Sequence, residues 1–211
     1  MDLIKVAKDL GVFLDENLTL NYQLNSVVKS CNHQLKNIYF IRKFLTTQCL
    51  KMLVINQVIS RLDFCNSIYA NLPKFQIRKL QIILNKAARL ITSTPYDQSI
   101  TPHLIDLHWL PLKVRICFKI CTITKLALLS NRTAYLCKEL NATRNRLFVP
   151  RINTNFGKRA FSFCAPMFYN SLPIELKSLN NVRQFKKKLK SHLFSKSYDL
   201  NTKTINEDYK V

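Results

Sequence analysis

Apolar residues recur along most of this chain at the spacing of helices. From Asn21 onward Leu24, Val27, Val28, Cys31, Leu35, Ile38, Ile41 and Leu45 step by three or four, which predicts one amphipathic helix of about six turns. Thr46-Thr47 interrupts the stripe, and a threonine there can cap the next helix. A second stripe follows through Leu50, Leu53, Val54, Val58, Leu62 and Cys65. Asn71-Leu72-Pro73 stops and restarts the pattern, with Pro73 suited to a first helical turn. A third helix turns Leu80, Ile83, Leu84, Ala87, Ala88 and Ile91 inward. Residues 112–130 read as helical again, with Leu112, Ile116, Ile120, Ile123 and Ala127 inward. A last helix over about 181–195 carries Val182, Phe185, Leu189 and Leu193 on its inner face. Asn181 can cap it, with Gln184 as the capping-box partner.

The segments between are of other kinds. Residues 9–14 read as one short strand, with Asp15, Glu16 and Asn17 as a turn. Pro95, Pro102 and Pro111 mark 93–111 as a connector, because each biases the preceding residue away from helix. Tyr135 to Leu140 reads as a short turn or two, 141–156 as a polar loop, and 197–211 as a frayed tail. Gly157 opens a stretch dense in aromatics, where Phe161, Phe163, Phe168 and Tyr169 fit a core better than a stacking platform. The expected fold is mainly α, a helical bundle with a short vestigial N-terminal β-strand. Its divisions are 1–20 (strand and turn), 21–92 (helical bundle), 93–111 (connector) and 112–196 (C-terminal helical region). Whether Leu10 to Leu14 pairs with any strand is open; unpaired, it is an exposed apolar edge.

Composition narrows the function. The 211 residues hold 33 Lys+Arg against 12 Asp+Glu, a formal net charge of +21. Gathering that charge into one body is costly unless an anion shares it, so nucleic acid or an anionic membrane surface is the first expectation. With 47% hydrophobic residues the chain can still bury a core. Only Gly11 and Gly157 are glycines, so neither a phosphate-cradling P-loop nor a dinucleotide-binding turn can be built. The seven cysteines, 31, 49, 65, 117, 121, 137 and 164, form no C-x-x-C and have no zinc-finger spacing. They read as small core hydrophobes in a reducing, intracellular compartment, nucleus or cytoplasm. The most apolar stretch, 116–129, is interrupted by Lys119 and Lys125, and no membrane span is expected.

Catalytic chemistry finds little support. His33, His103, His108 and His192 are scattered, and none stands beside a nucleophile or carboxylate in a catalytic motif. Asp97 and Asp106 could pair around a metal, but plain solvation explains them equally. No cofactor, metal or catalytic residue is expected. The basic residues gather instead in three places. Arg78, Lys79, Lys86 and Arg89 lie on the third helix. Arg144, Arg146, Arg151, Lys158 and Arg159 lie where no acid occurs between Glu139 and Glu175. Arg183, Lys186, Lys187, Lys188, Lys190 and Lys196 crowd the last helix, also without an acid. A fourth acid-free run, from Glu16 to Asp63, holds Lys29, Lys36, Arg42, Lys43, Lys51 and Arg61. Two readings fit such faces: solvated helix surface, or phosphate contacts that release counterions. A membrane-surface helix over 181–195 is a weaker rival, since the segment lacks Trp and has a modest apolar face.

Five segments, in order, resemble one family. Leu10-Gly11-Val12 with Asp15 and Leu18 resembles the L-G-V-x-x-D-x-x-L strand-turn that follows the palm in reverse transcriptases of jockey-like, LINE-type non-LTR retrotransposons. Leu80-Gln81 with Ala87-Ala88-Arg89-Leu90-Ile91 resembles that family's L-Q…A-A-R-x-I helix. His108-Trp109-Leu110-Pro111 with Arg115 and Phe118-Lys119 resembles its H-W-L-P-x-x-x-R-x-x-F-K box. Gly157, Arg159, Phe161-Ser162, Pro166, Asn170 and Leu172-Pro173 resemble a further signature, with Tyr169 where Trp is usual. Phe185-Lys186, Leu189-Lys190 and Leu193-Phe194 resemble its closing F-K-x-x-L-K-x-x-L-F.

The resemblance spans about residues 8–195 and implies the thumb and the helical extension beyond it, with 1–20 as the residual palm edge. In that family these parts grip a template-primer duplex. The palm's catalytic Asp-Asp motif and the endonuclease lie upstream, and these residues contain no Asp-Asp pair. Two-metal phosphoryl transfer needs such carboxylates, so a truncated reverse-transcriptase (RNA-directed DNA polymerase) fragment without polymerase chemistry is implied. The expected partner is RNA or DNA backbone, through Lys86, Arg89, Lys158, Arg159, Arg183, Lys186, Lys187 and Lys190. The alternative is a non-enzymatic basic scaffold that docks an acidic protein, and an enzyme of unrecognised kind stays a third possibility.

Overall fold

A computed structural model describes residues 5–130, 140 and 146–198. The fold is mainly α-helical, with one two-stranded antiparallel sheet at the N-terminus. It divides into two compact units, Met1–Cys65 with Pro73–Leu112, and Asn66–Leu72 with the chain from Lys113 onward.

In the first unit, β1 (Val6–Asp9) pairs with β2 (Val12–Asp15), Asp9 opposite Val12, so Leu10 and Gly11 form a two-residue turn. Both have positive φ, 44° and 84°, the sign that a tight hairpin of this hand requires. The single strand expected over residues 9–14 is thus corrected to a hairpin with its turn inside that range. Leucine hid the turn. Its apolar side chain fits the alternation of a strand, yet at 88% exposure it buries nothing.

Asp15 then organises the passage from sheet to helix. Its carboxylate accepts from the N–H groups of Thr19 and Leu20, at 3.0 and 2.9 Å, and from the Thr19 hydroxyl. This lets the chain pass through positive φ at Leu18 and Leu20 and start α1 (Asn21–Ile41) without a side-chain cap. Helix α1 buries Leu24, Cys31, Leu35 and Ile38. It stops earlier than the stripe through Leu45 suggested, in a 3-10 turn at Arg42–Phe44. Thr46 caps α2 (Thr47–Val54) by accepting from the Cys49 N–H. The helix continues through a π segment at Ile55–Ile59 into α3 (Ser60–Asp63), and the Ser60 N–H reaches the Ile55 carbonyl. The Arg61 guanidinium, at the start of α3, donates to the Ser30 hydroxyl of α1.

Helix α4 (Lys74–Thr92) packs along α1 with Leu80, Ile83, Leu84, Ala87, Ala88 and Ile91 buried. Pro73 stands just before it. Burying Leu80, Ile83, Leu84 and Ile91 stabilises by about 1.5–3 kcal/mol each, and the smaller Ala87 and Ala88 let the helices approach. Gln76 Nε2 bonds Asn21 Oδ1 at 2.7 Å, while Lys86 Nζ bonds Asn32 Oδ1 at 3.4 Å. The second contact is ten residues further on in α4 and eleven further on in α1, so the two helices run in the same direction. The connector expected at 93–111 holds a short helix, α5 (Thr101–Asp106), which packs on α4. Pro102 lies in its first turn, where a missing N–H costs nothing, so this proline starts a helix where breaking one was expected.

The second unit contains α6 (Leu112–Leu129, from Lys113 on), α7 (Phe161–Asn170), α8 (Ile174–Lys177) and α9 (Val182–Tyr198). Its core includes Ile116, Ile120, Phe163, Phe168, Tyr169, Phe185, Leu189 and Leu193, so the aromatics of 161–169 are largely interior. Asn181 caps α9, accepting from the N–H groups of Arg183 and Gln184. Asn170 exchanges two hydrogen bonds with the Leu147 backbone, at 2.9 and 2.8 Å, and so ties the irregular stretch at Leu147 to α7. A Cβ at Gly157 would come within 2.5 Å of the Ile152 side chain, so the turn at Gly157–Arg159 has no room for a larger residue. Lys125 is only 4% exposed; it donates to the Lys177 carbonyl at 2.7 Å and lies over the Phe185 ring. Burial pulls its pKa below the usual lysine value. No helix among the described residues is long and apolar enough to cross a membrane. The expected turn at Tyr135–Leu140, apart from Leu140, and residues 141–145 and 199–211 of the loop and tail lie outside the described residues.

Burial alone would raise the Asp15 carboxyl, but its hydrogen bonds with Thr19 and Leu20 hold it below its ordinary value of 3.8. A carboxyl depressed by folding adds stability above its unfolded pKa and loses it as pH falls through the folded one. Asp15→Asn, which leaves one acceptor oxygen in place, should therefore cost about 0.5–1 kcal/mol at neutral pH in urea unfolding. The gap between variant and wild type should close as pH drops below 3.8.

Candidate nucleic-acid interface

The parallel packing of α1 and α4 brings their C-terminal halves together, and cations from both helices, Lys36 with Lys86 and Arg89, line a common cleft there. On α1, Asn32, Lys36 and Tyr39 recur at helical spacing, and Arg42 follows in the 3-10 turn. On α4, Lys86, Arg89 and Ser93 do the same. Together with the turn at Thr94–Tyr96 they enclose a cleft of about 340 Å³, with Leu35 and Leu90 as apolar lining. Lys36, Arg42, Lys86 and Arg89 all line it, and no carboxylate does.

Two aromatic rings stand among these cations. The Arg42 guanidinium lies over Tyr39, 4.5 Å from the ring centre, and the Arg89 guanidinium over Tyr96 at 5.3 Å. Arg89 also donates to the Pro95 carbonyl and, at 2.7 Å, to the Gln98 carbonyl. These bonds fold residues 95–98 back along α4 after its left-handed cap at Ser93, and so hold Tyr96 beside the cleft. The bonds engage the donors of Arg89 but leave its charge unneutralised.

Helix C-termini attract cations on their own account. Each end carries about half a negative elementary charge. Two ends therefore offset about one positive charge of the four that line the cleft. The remainder is available to an anion.

The eight residues expected from sequence to face phosphate fall into three groups. Lys86 and Arg89 come together in the cleft of the first unit, both half-buried. Lys158 and Arg159 are adjacent on the turn at Gly157–Arg159 in the second unit. There the Lys158 carbonyl accepts from Asn71 and from the Cys164 thiol, and Arg159 lies over Phe156 at 5.0 Å. Arg183, Lys186, Lys187 and Lys190 share one exposed face of α9, beside the stripe of buried Phe185, Leu189 and Leu193. No acid stands in the first turn of α9, although the N-terminal dipole disfavours cations such as Arg183 there. Sequence reading did not place Lys36, Arg42, Tyr39 and Tyr96 at a site. The acid-free run after Glu16 and the spacing 32, 36, 39 on α1 carried a signal for the first three. Tyr96 is set by the Arg89 clamp, which no local pattern announces.

The described cysteines, 31, 49, 65, 117, 121 and 164, are free thiols. Among the described residues no group of three or more His, Cys, Asp or Glu could hold a metal ion. Burial pushes the Cys31 thiol up to about 11 and that of Cys164 to about 12. The hydrogen bond with Cys117, then burial, raises Cys121.

Comparison with known proteins adds no relative: no family model matches the chain, and neither a curated protein nor a solved structure does.

Arg89→Lys keeps the charge but gives up the fork that clamps two carbonyls. It should lower stability by about 1 kcal/mol in urea and speed proteolysis at residues 95–98. Because thiolate is the reactive form, Cys31, Cys121 and Cys164 should resist a disulfide reagent in the native protein at mildly alkaline pH. Exposed Cys49 should react at once, and the three others only after unfolding, as peptide mass mapping would show.

Proposed function

We propose that this chain binds RNA or DNA backbone without sequence preference and performs no bond-making chemistry itself. We further propose that it derives from the thumb and post-thumb region of a jockey-like, LINE-type non-LTR retrotransposon reverse transcriptase. The observation that carries the binding reading is the cleft at the ends of α1 and α4, lined by four cations and no acid. The cationic face of α9 offers a second polyanion surface in the other unit.

The family reading rests on the five ordered motifs, and the structural duties of their residues support it. Gly11 makes the hairpin turn and Asp15 the entry to α1. Ala87 and Ala88 are fully buried, and the neighbouring Arg89 clamps the following loop. Trp109 and Leu110 are buried, Asn170 ties down Leu147, and Phe185, Leu189 and Leu193 fill the core. A pattern made of turn-forming and core residues is what a shared fold would preserve.

The test is a salt titration of the intact chain against a labelled random-sequence duplex. Cations that neutralise phosphates release counterions, so log affinity should fall linearly with log salt, by about 0.9 per phosphate contacted. The four cations of the cleft set its own share of the slope at no steeper than about −3 to −4. Failure to bind at low salt, or affinity indifferent to salt, would refute the reading.

A further inference from the structure

The cations of the cleft can meet any polyanion, but its two tyrosines are more selective. Tyr39 is 54% exposed and Tyr96 is 79% exposed, and both border the cleft from different elements. Each ring has an arginine over it, Arg42 and Arg89 respectively. Tyr39 also meets Phe40 edge-on, with ring centres 6.2 Å apart. Such contacts hold a ring in place while much of it stays open to solvent.

We propose that the cleft seats a segment of single-stranded nucleic acid, with phosphate on Lys36 and Lys86 and an unpaired base stacked on Tyr39 or Tyr96. This rests on the binding reading above and adds strand selectivity to it. In a duplex each base face is covered by its neighbours, so an aromatic side chain can stack only on a base that is unpaired. The cleft volume of about 340 Å³ lies at the small end of ligand sites, on the order of 300–1,000 Å³, which suits a nucleotide or two. The sides divide the work. Asn32 holds Lys86 at the cleft, and the clamp from Arg89 to residues 95–98 holds Tyr96. Ser93 and Thr94 add hydroxyls at the rim that can bond a phosphate or a base edge. Stacking is indifferent to base identity, which agrees with binding that lacks sequence preference.

The experiment measures anisotropy of the intact protein with a labelled oligothymidylate of about ten nucleotides, beside a blunt-ended duplex without unpaired bases. The wild type should prefer the single strand. Tyr39→Ala with Tyr96→Ala should weaken single-strand binding roughly tenfold or more and leave duplex binding within about twofold. Tyr39→Phe with Tyr96→Phe should restore it, since the ring and not the hydroxyl is used. Both positions are solvent-exposed, so thermal melts of the variants should match the wild type. The same phosphate-and-base chemistry could come from a free mononucleotide; competition only at millimolar mononucleotide supports a strand, and competition at micromolar levels overturns it. Equal affinity for both oligonucleotides, unchanged by the tyrosine substitutions, would overturn strand selectivity while backbone binding stood. Loss of binding to every oligonucleotide would instead remove the reading beneath it.

Discussion

Helices that pack side by side in the same direction present their carbonyl ends at the same place. That constraint shapes the first unit. Antiparallel neighbours cancel one another's dipoles and can be joined by a short loop. Parallel ones need a long return, and within this unit α2, the π segment and α3 supply most of it. The packed ends of α1 and α4 then concentrate negative potential, which cations relieve. Arg42 just beyond α1 and Arg89 in the last turn of α4 answer that need, and Lys36 and Lys86, further back along the helices, exceed it. The surplus leaves positive charge at the cleft that no carboxylate lining it offsets.

The rest of the unit secures this arrangement from its opposite end. Asp15 fixes where α1 begins, and Gln76 bonds both the Thr19 carbonyl and Asn21, so the starts of the two helices are registered before their ends meet. An error in the turn at Asp15 would be carried along α1 to Lys36 and Tyr39. The first motif of the chain and its cleft are thus linked through one rigid helix, with no contact between them.

Helices and core were legible from periodicity because burial and spacing are the same fact seen twice. Leu24, Cys31, Leu35 and Ile38 lie on the predicted stripe of α1 and are buried, and Asn181 and Thr46 cap the helices they were expected to cap. Legibility failed where a residue works against its type. Leu10 occupies a left-handed turn usually given to Asn or Gly, Pro102 starts a helix, and Lys125 sits in a core. Lys86 and Arg89 were recognisable as cations on one helix, but their partners lie more than forty residues away on α1, so the cleft itself belongs to tertiary structure. Tyr96 depends on a side chain reaching back over its own loop, a relation that sequence spacing does not encode.

The π segment at Ile55–Ile59 is in effect one surplus residue accommodated within a helix. Everything after it is rotated by about 100° from where an uninterrupted α-helix would have put it. That twist is what aims Arg61 at Ser30. A lineage that lost a single codon here would keep its composition and hydrophobicity nearly intact, yet would swing Arg61 and Leu62 round the helix axis. A change of length in this stretch would therefore disturb the contact between α3 and α1 more than an exchange of one exposed side chain.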